Sequence, residues 1–67
     1  MKNRLRELRA ARGWTQQELG ERVGVSRQAI IALEAERHTP SLELAYKLAA
    51  LFSLAVEEVF ANPHRQD

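Results

Sequence analysis

The chain has 67 residues, which leaves room for one domain and little room for a buried substrate pocket beside its core. It contains no cysteine, which excludes disulfides and thiolate metal sites, and no apolar run approaches the roughly 20 residues of a membrane span. The net charge is only +1, but five of the ten basic residues lie in the first twelve positions, as suits a protein with one face turned towards phosphate.

Residues 1–24 have the pattern of two helices, and no part of the sequence has the pattern of a strand. The first helix runs from about Lys2 to Arg12, and Gly13 stops it as glycine commonly stops helices. The second helix begins at Thr15, where Thr15–Glu18 has the pattern of a capping box, and it ends at Gly24.

Three further helices are predicted after Gly24. Ser26 caps the third, which fades around Ala35–Glu36. The fourth covers about Ser41–Phe52, and nine of these twelve residues are apolar or aromatic, so we expect burial on more than one side. The last is short, about Val56–Ala61, and Asn62-Pro63 ends it. The sequence therefore predicts an all-α chain of five helices.

The segment 15–34 is the most informative part of the chain, because it contains two short helices joined by a tight turn. Gly20 is expected where these helices approach most closely, since only a small side chain fits there. The inward positions of the pair and the turn are apolar: Leu19, Val23, Val25, Ile30 and Leu33. This packing leaves the outer face of the third helix free: Arg27, Gln28, Ile31 and Ala32. Such a face, beginning at a helix N-terminus, is the part that enters the DNA major groove in helix-turn-helix proteins.

The residues of this segment resemble a known family. Thr15-Gln16-Gln17-Glu18-Leu19, Gly24-Val25-Ser26-Arg27-Gln28-Ala29-Ile30 and Leu33-Glu34 resemble the Cro/phage-repressor-like (XRE-type) helix-turn-helix family, and Pro40–Ala45 is similar to its small stand-alone bacterial members. The resemblance covers about residues 2–60. It implies a lambda-repressor-like fold of five helices, a single domain over residues 1–67, and a transcriptional regulator that binds double-stranded DNA.

The resemblance also implies roles for individual residues. Base contacts are implied at Arg27, Gln28, Ile31 and Ala32, where Arg can pair with guanine and Gln with adenine. Contacts to the DNA backbone are implied at Gln16, Gln17, Ser26, Arg37 and His38. Structural roles are implied for Arg9 and Glu34, as an ion pair, and for Gly24 in the turn.

The sequence departs from the family pattern in several places. Glu36 stands where many members have glycine, and Ile31 replaces a frequent polar residue. Ser53 and Ala55 replace the glycine stop and the Ser or Thr cap around the last helix, and Gly20 replaces the usual alanine.

The end of the fourth helix and the last helix, residues 51–61, carry more apolar side chains than so short a chain is expected to cover. The side chains concerned are Leu51, Phe52, Leu54, Val56, Val59 and Phe60. We expect them to form a homodimer interface, and the alternative is that they complete the core of the monomer.

We therefore expect a repressor that binds an inverted-repeat operator as a homodimer. The alternative is an antitoxin, a DNA-binding module that also masks a partner protein. An enzyme is not expected, since there is no Gly-rich phosphate loop, no nucleophile–His pair and no metal cluster, and His38 and His64 stand alone. No cofactor, small-molecule ligand or membrane contact is expected. The basic start lacks the apolar stretch of a signal peptide, which favours the cytoplasm.

Overall fold

The computed structural model describes residues 1–65. It contains five helices: α1 (Leu5–Ala11), α2 (Gln16–Val23), α3 (Arg27–Glu34), α4 (Leu42–Leu51) and α5 (Val56–Val59). Over these 65 residues the only β-type pairing is an isolated antiparallel bridge between Asn3 and Phe60. The predicted all-α, five-helix class is confirmed, and the predicted domain of residues 1–67 is described up to residue 65.

Two helix boundaries were predicted wrongly, and both errors have the same physical cause. The first helix begins at Leu5 instead of Lys2, and the last ends at Val59 instead of Ala61. The backbone N–H of Ala61 donates to the Lys2 carbonyl at 2.9 Å, and the N–H of Arg4 donates to the Val59 carbonyl at 2.9 Å. Because residues 2–4 and 59–61 pair with each other, the backbone groups that form these two hydrogen bonds are not available to lengthen either helix.

The predicted caps of the central helices are confirmed. The Thr15 hydroxyl accepts the N–H of Glu18 at 3.0 Å, and the Glu18 carboxylate accepts the N–H of Thr15 at 3.0 Å. The hydrogen bond from the Thr15 backbone N–H stabilises the ionised carboxylate and is the largest cause of the lowered pKa of Glu18. The hydroxyls of Ser26 and Ser41 cap α3 and α4, where they accept the backbone N–H groups of Ala29 and Leu44, each at 3.1 Å.

The core lies between the helices and takes side chains from all five. Its largest fully buried members are Leu5, Leu19, Ile30, Leu33, Leu48 and Val59. Burial of each such side chain contributes about 1.5–3 kcal/mol. Helix α4 contacts both α2 and α5, which explains why apolar residues cover more than one of its sides.

Three of the six residues predicted at a subunit interface are part of this core. Phe52, Val59 and Phe60 are only 6%, 1% and 3% exposed in the single chain. Residues 1–4, which precede α1, cover this end of the fold, whereas the sequence pattern placed residues 2–4 in the first helix. These three therefore complete the core of the monomer, the alternative that the sequence pattern left open, whereas Leu51, Leu54 and Val56 are half-buried.

Two non-glycine residues adopt the left-handed conformation, Glu36 with φ of 61° and Ser53 with φ of 56°. These are the two positions at which the resembling family often has glycine or a glycine stop. The loops follow the path that glycine favours although neither residue is glycine, and an L-residue in this region costs roughly 1–2 kcal/mol.

Candidate nucleic-acid interface

A tight crossing of α2 and α3 forms the base of the candidate interface. Gly24 adopts φ of 77°, which glycine permits, and the N–H of Val25 donates to the Gly20 carbonyl at 2.9 Å. A Cβ atom on Gly20 would lie 2.6 Å from the Val25 carbonyl oxygen, closer than real contacts allow. The close approach predicted at Gly20 is confirmed, and it sets the angle at which α3 leaves the turn.

The face of α3 opposite the core is open. Ile30 and Leu33 are fully buried, whereas Arg27 and Gln28 in the first turn are exposed and Ile31 and Ala32 are half-buried. Within residues 1–65 no hydrogen bond or ion pair occupies the side chains of Arg27 and Gln28. The face therefore presents a guanidinium, a carboxamide and two apolar groups, which together can pair with base edges and contact a thymine methyl.

The C-terminal end of α3 is held by a buried carboxylate. The side chain of Glu34 is 0% exposed, and its Oε2 and Oε1 accept Nε and Nη2 of Arg9 at 2.7 and 3.1 Å. This bidentate pair raises the pKa of Arg9. Gln16 Nε2 donates to the same Oε1 at 3.1 Å, and Arg6 Nε lies 3.8 Å from it. The Glu34 carboxylate therefore joins α3 to Arg9 of α1 and Gln16 of α2. Arg9 Nη1 also donates to the Trp14 carbonyl, just before α2, at 2.9 Å.

The residues predicted to contact the DNA backbone are not equivalent in the structure. Gln17, Arg37 and His38 are exposed, and the Ser26 hydroxyl caps α3. Gln16 is half-buried, with its amide directed at Glu34. Its nitrogen keeps a second N–H, so the contact within the chain uses only part of its hydrogen-bonding capacity.

An aromatic pair flanked by two arginines lies beside the turn between α1 and α2. The ring centroids of Trp14 and Phe52 are 5.8 Å apart. The guanidinium of Arg22 lies 4.1 Å from the centre of the Trp14 ring, and that of Arg12 lies 5.4 Å from it. Arg12 lies 5.5 Å from the centre of the Phe52 ring as well, so it contacts both aromatic rings. The eight-residue spacing of Trp14 and Arg22 carried no signal of this contact, because Trp14 precedes the helix.

Sequence reasoning missed Asn3. Its side chain joins the start of α1 to the end of α3, with Oδ1 accepting the N–H of Leu5 at 3.1 Å and Nδ2 donating to the Leu33 carbonyl at 2.7 Å. Asparagine is a preferred capping residue. That signal was available in the sequence, but a first helix predicted from Lys2 placed Asn3 inside the helix.

A surface groove lies between α4 and α5. It is lined by Tyr46, Ala49, Ala50, Leu54, Ala55, Val56 and Glu57. Tyr46 is 61% exposed, and Leu42, one turn earlier, is 70% exposed. Tyr46 therefore forms one edge of the groove, and Leu42 lies one turn before it on α4.

Neither a metal site nor a membrane-spanning helix is present in the part of the chain that the structure describes. No group of three or more His, Asp or Glu residues among positions 1–65 is arranged to hold a metal ion. No helix there is long and apolar enough to cross a bilayer.

Comparison with known proteins gives consistent results. A family model described as helix-turn-helix matches residues 5–59. The HTH-type transcriptional regulator YgzD of Bacillus subtilis is 50% identical over 60 residues, 90% of this chain and 91% of that protein. An HTH-type transcriptional regulator of Archaeoglobus fulgidus is 48% identical over 60 residues, 90% of this chain and 86% of that protein. Among solved structures, the restriction-modification controller protein C.AhdI from Aeromonas hydrophila is similar with a TM-score of 0.74 and 34% identity, over 84% of this chain and 85% of that one.

Proposed function

We propose a repressor function for this chain, which belongs to the XRE-type helix-turn-helix family of transcriptional regulators. It is a transcriptional regulator with a helix-turn-helix DNA-binding domain and a lambda-repressor-like fold, and the family consists of DNA-binding proteins that are not enzymes. The observation that carries the proposal is the open outer face of α3, braced from behind by the core and by Glu34. A repressor of this kind acts in the cytoplasm by occluding a promoter.

In this proposal the first turn of α3 enters the major groove. Arg27 pairs bidentately with a guanine and Gln28 with an adenine, while Ile31 and Ala32 contact apolar groups such as a thymine methyl. Two observations support these contacts: Arg27 and Gln28 are exposed, and neither side chain has a hydrogen-bond or ion-pair partner within residues 1–65.

Contacts to phosphate position this helix in the groove. Gln17, Arg37 and His38 are exposed and provide donors, and Ser26 lies at the start of α3. Gln16 contributes through the N–H that Glu34 leaves free. These contacts determine affinity and its dependence on salt, whereas the α3 face determines sequence preference.

The proposed operator is an inverted repeat bound by a homodimer. The half-buried Leu51, Leu54 and Val56 remain from the predicted interface, and exposed Tyr46 lies beside the last two in the α4–α5 groove. Alanines line much of this groove, so the backbones of two copies can approach closely. A two-fold axis there places two α3 helices in successive major grooves about 34 Å apart.

Selection of binding sites from random duplexes tests the proposal. The purified chain is expected to enrich an inverted repeat. The logarithm of its association constant is expected to fall linearly with the logarithm of the salt concentration, with a slope of about −0.9 per phosphate contact. A titration at low and high salt with the selected site and a scrambled duplex supplies the comparison. If no sequence is enriched at low salt, the chain is not a sequence-specific repressor.

A further inference from the structure

The first four residues connect the DNA-reading helix to the opposite end of the described chain. Asn3 Nδ2 donates to the carbonyl of Leu33 in the last turn of α3, at 2.7 Å, and to that of Met1 at 3.1 Å. The backbone of Asn3 forms the antiparallel bridge with Phe60, directly after α5. One residue therefore contacts both the end of α3 and the segment that follows α5.

The contact on α3 lies at the turn that ends this helix. The Leu33 carbonyl also accepts the N–H of Glu36 at 3.0 Å, and Glu36 has the left-handed conformation that turns the chain away. The amino group of Met1 donates to the Glu36 carbonyl at 3.4 Å. The N-terminal segment thus donates to two carbonyls of this turn, those of Leu33 and Glu36. The ion pair with Arg9 holds the same turn at Glu34.

We propose that Asn3 is a positioning residue for DNA recognition: through Leu33 it fixes the orientation of α3 relative to the α5 end of the fold. This inference rests on the proposed function, because it assigns to Asn3 the placement of a face that reads bases. Arg9 holds Glu34 from the α1–α2 side, and Asn3 holds Leu33 from the α5 side. With both in place, α3 has a single orientation relative to the proposed dimer groove.

The geometry makes base reading sensitive to this contact. Arg27 lies six residues before Leu33, which corresponds to roughly 9 Å along a helix. A tilt of about 10° at the C-terminal end therefore moves the start of α3 by about 1.5 Å, three times the roughly 0.5 Å within which a binding constellation must be held. Non-specific phosphate contacts tolerate such a displacement, whereas bidentate base pairing does not.

Two variants separate this role from capping of α1. Asn3→Ser keeps a hydroxyl that can accept the N–H of Leu5 but is too short to reach the Leu33 carbonyl. Asn3→Ala removes both contacts. Affinities for the selected operator and a scrambled duplex are measured at a temperature where circular dichroism shows all three proteins fully folded. Both variants are expected to lower the operator-to-scrambled affinity ratio by about 5-fold or more, equivalent to a weakened bidentate base contact.

The ratio distinguishes positioning from a merely structural role. A partly unfolded population weakens binding to both duplexes by the same factor and leaves their ratio unchanged. A ratio that stays at the wild-type value in both variants overturns the proposal, as does a ratio that falls only in Asn3→Ala, because that loss comes through the α1 cap.

A second measurement without DNA keeps this test separate from the proposed function. Amide hydrogen exchange at Glu36 and Arg37, whose N–H groups close the end of α3, is expected to accelerate in both variants. The N–H of Leu5 is expected to exchange faster only in Asn3→Ala. If wild-type protein does not distinguish the two duplexes, the proposed function fails, and the exchange of Glu36 and Arg37 alone then decides whether Asn3 holds α3.

Discussion

Replacement of Arg9 by methionine is expected to destabilise the fold more than any exposed charge substitution. It leaves the Glu34 side chain, 0% exposed, without two of its hydrogen bonds. Hydrogen bonds to charged groups contribute about 1.5–3 kcal/mol each, and breaking a buried ion pair costs about 3–5 kcal/mol. Arg6, 3.8 Å from Oε1 and mostly exposed, can move in as a substitute, which places the expected loss near the lower limit, about 3 kcal/mol.

A loss of this size is a large part of the total. A chain of 67 residues has a free energy of unfolding of roughly 3–10 kcal/mol. Denaturation in urea, followed by the fluorescence of the single tryptophan, Trp14, measures it directly. Because Arg9 also donates to the Trp14 carbonyl, a double-mutant cycle with Glu34→Met is needed to isolate the ion pair.

The cycle gives a sharp test. Arg9→Met/Glu34→Met is expected to be more stable than Arg9→Met alone, since it removes the uncompensated buried carboxylate, with a coupling energy of about 2 kcal/mol or more. The exposed i, i+4 pair of Glu43 and Lys47 is the control, with an expected coupling of about 0.3–0.5 kcal/mol. A coupling for Arg9 and Glu34 no larger than that of the control would refute the argument that this pair braces α3.

Three further predictions concern the turns and caps. Glu36→Gly and Ser53→Gly are each expected to raise the free energy of unfolding by about 0.5–1 kcal/mol in thermal or urea denaturation, because they relieve left-handed strain, whereas Glu36→Ala is not. Gly20→Ala is expected to lower it by about 1–3 kcal/mol despite a better helix propensity, since the Cβ collides with the Val25 carbonyl; equal or greater stability contradicts the close approach. The lowered pKa of Glu18 means that its stabilising effect is present above its ordinary pKa of 4.5 and is lost as the pH falls through the lower folded value. The free energy of unfolding, measured by urea denaturation at several pH values, is therefore expected to fall less steeply with decreasing pH in Glu18→Gln than in the wild-type protein. The same pH dependence in both proteins counts against the capping box.

Features that depend on neighbours along the chain were predictable from the sequence. The capping box at Thr15, the serine caps and the turn at Gly24 each need only three or four consecutive residues, and the inward positions of α2 and α3 follow from helical spacing. The motif at 15–34 therefore predicted both the turn and the free face of α3.

Features that depend on contacts between distant residues were not predictable. The pairing of residues 2–4 with 59–61 shortens both terminal helices and covers Phe60, which the sequence alone had placed at a subunit interface. Helix propensity is a weak guide where a remote segment competes for the same backbone groups. Asn3 and Leu33, which form a hydrogen bond, are 30 residues apart in sequence, and no periodicity in the sequence predicts their contact.

The most direct test of the central claim, that the first turn of α3 reads bases, is the operator preference of Arg27→Ala. The account predicts a relaxed preference at one base pair of each half-site and a loss of roughly 1–3 kcal/mol of binding free energy on the operator. Affinity for a scrambled duplex is expected to change only by the effect of removing one positive charge. An operator preference identical to that of the wild-type protein at every base pair would contradict it.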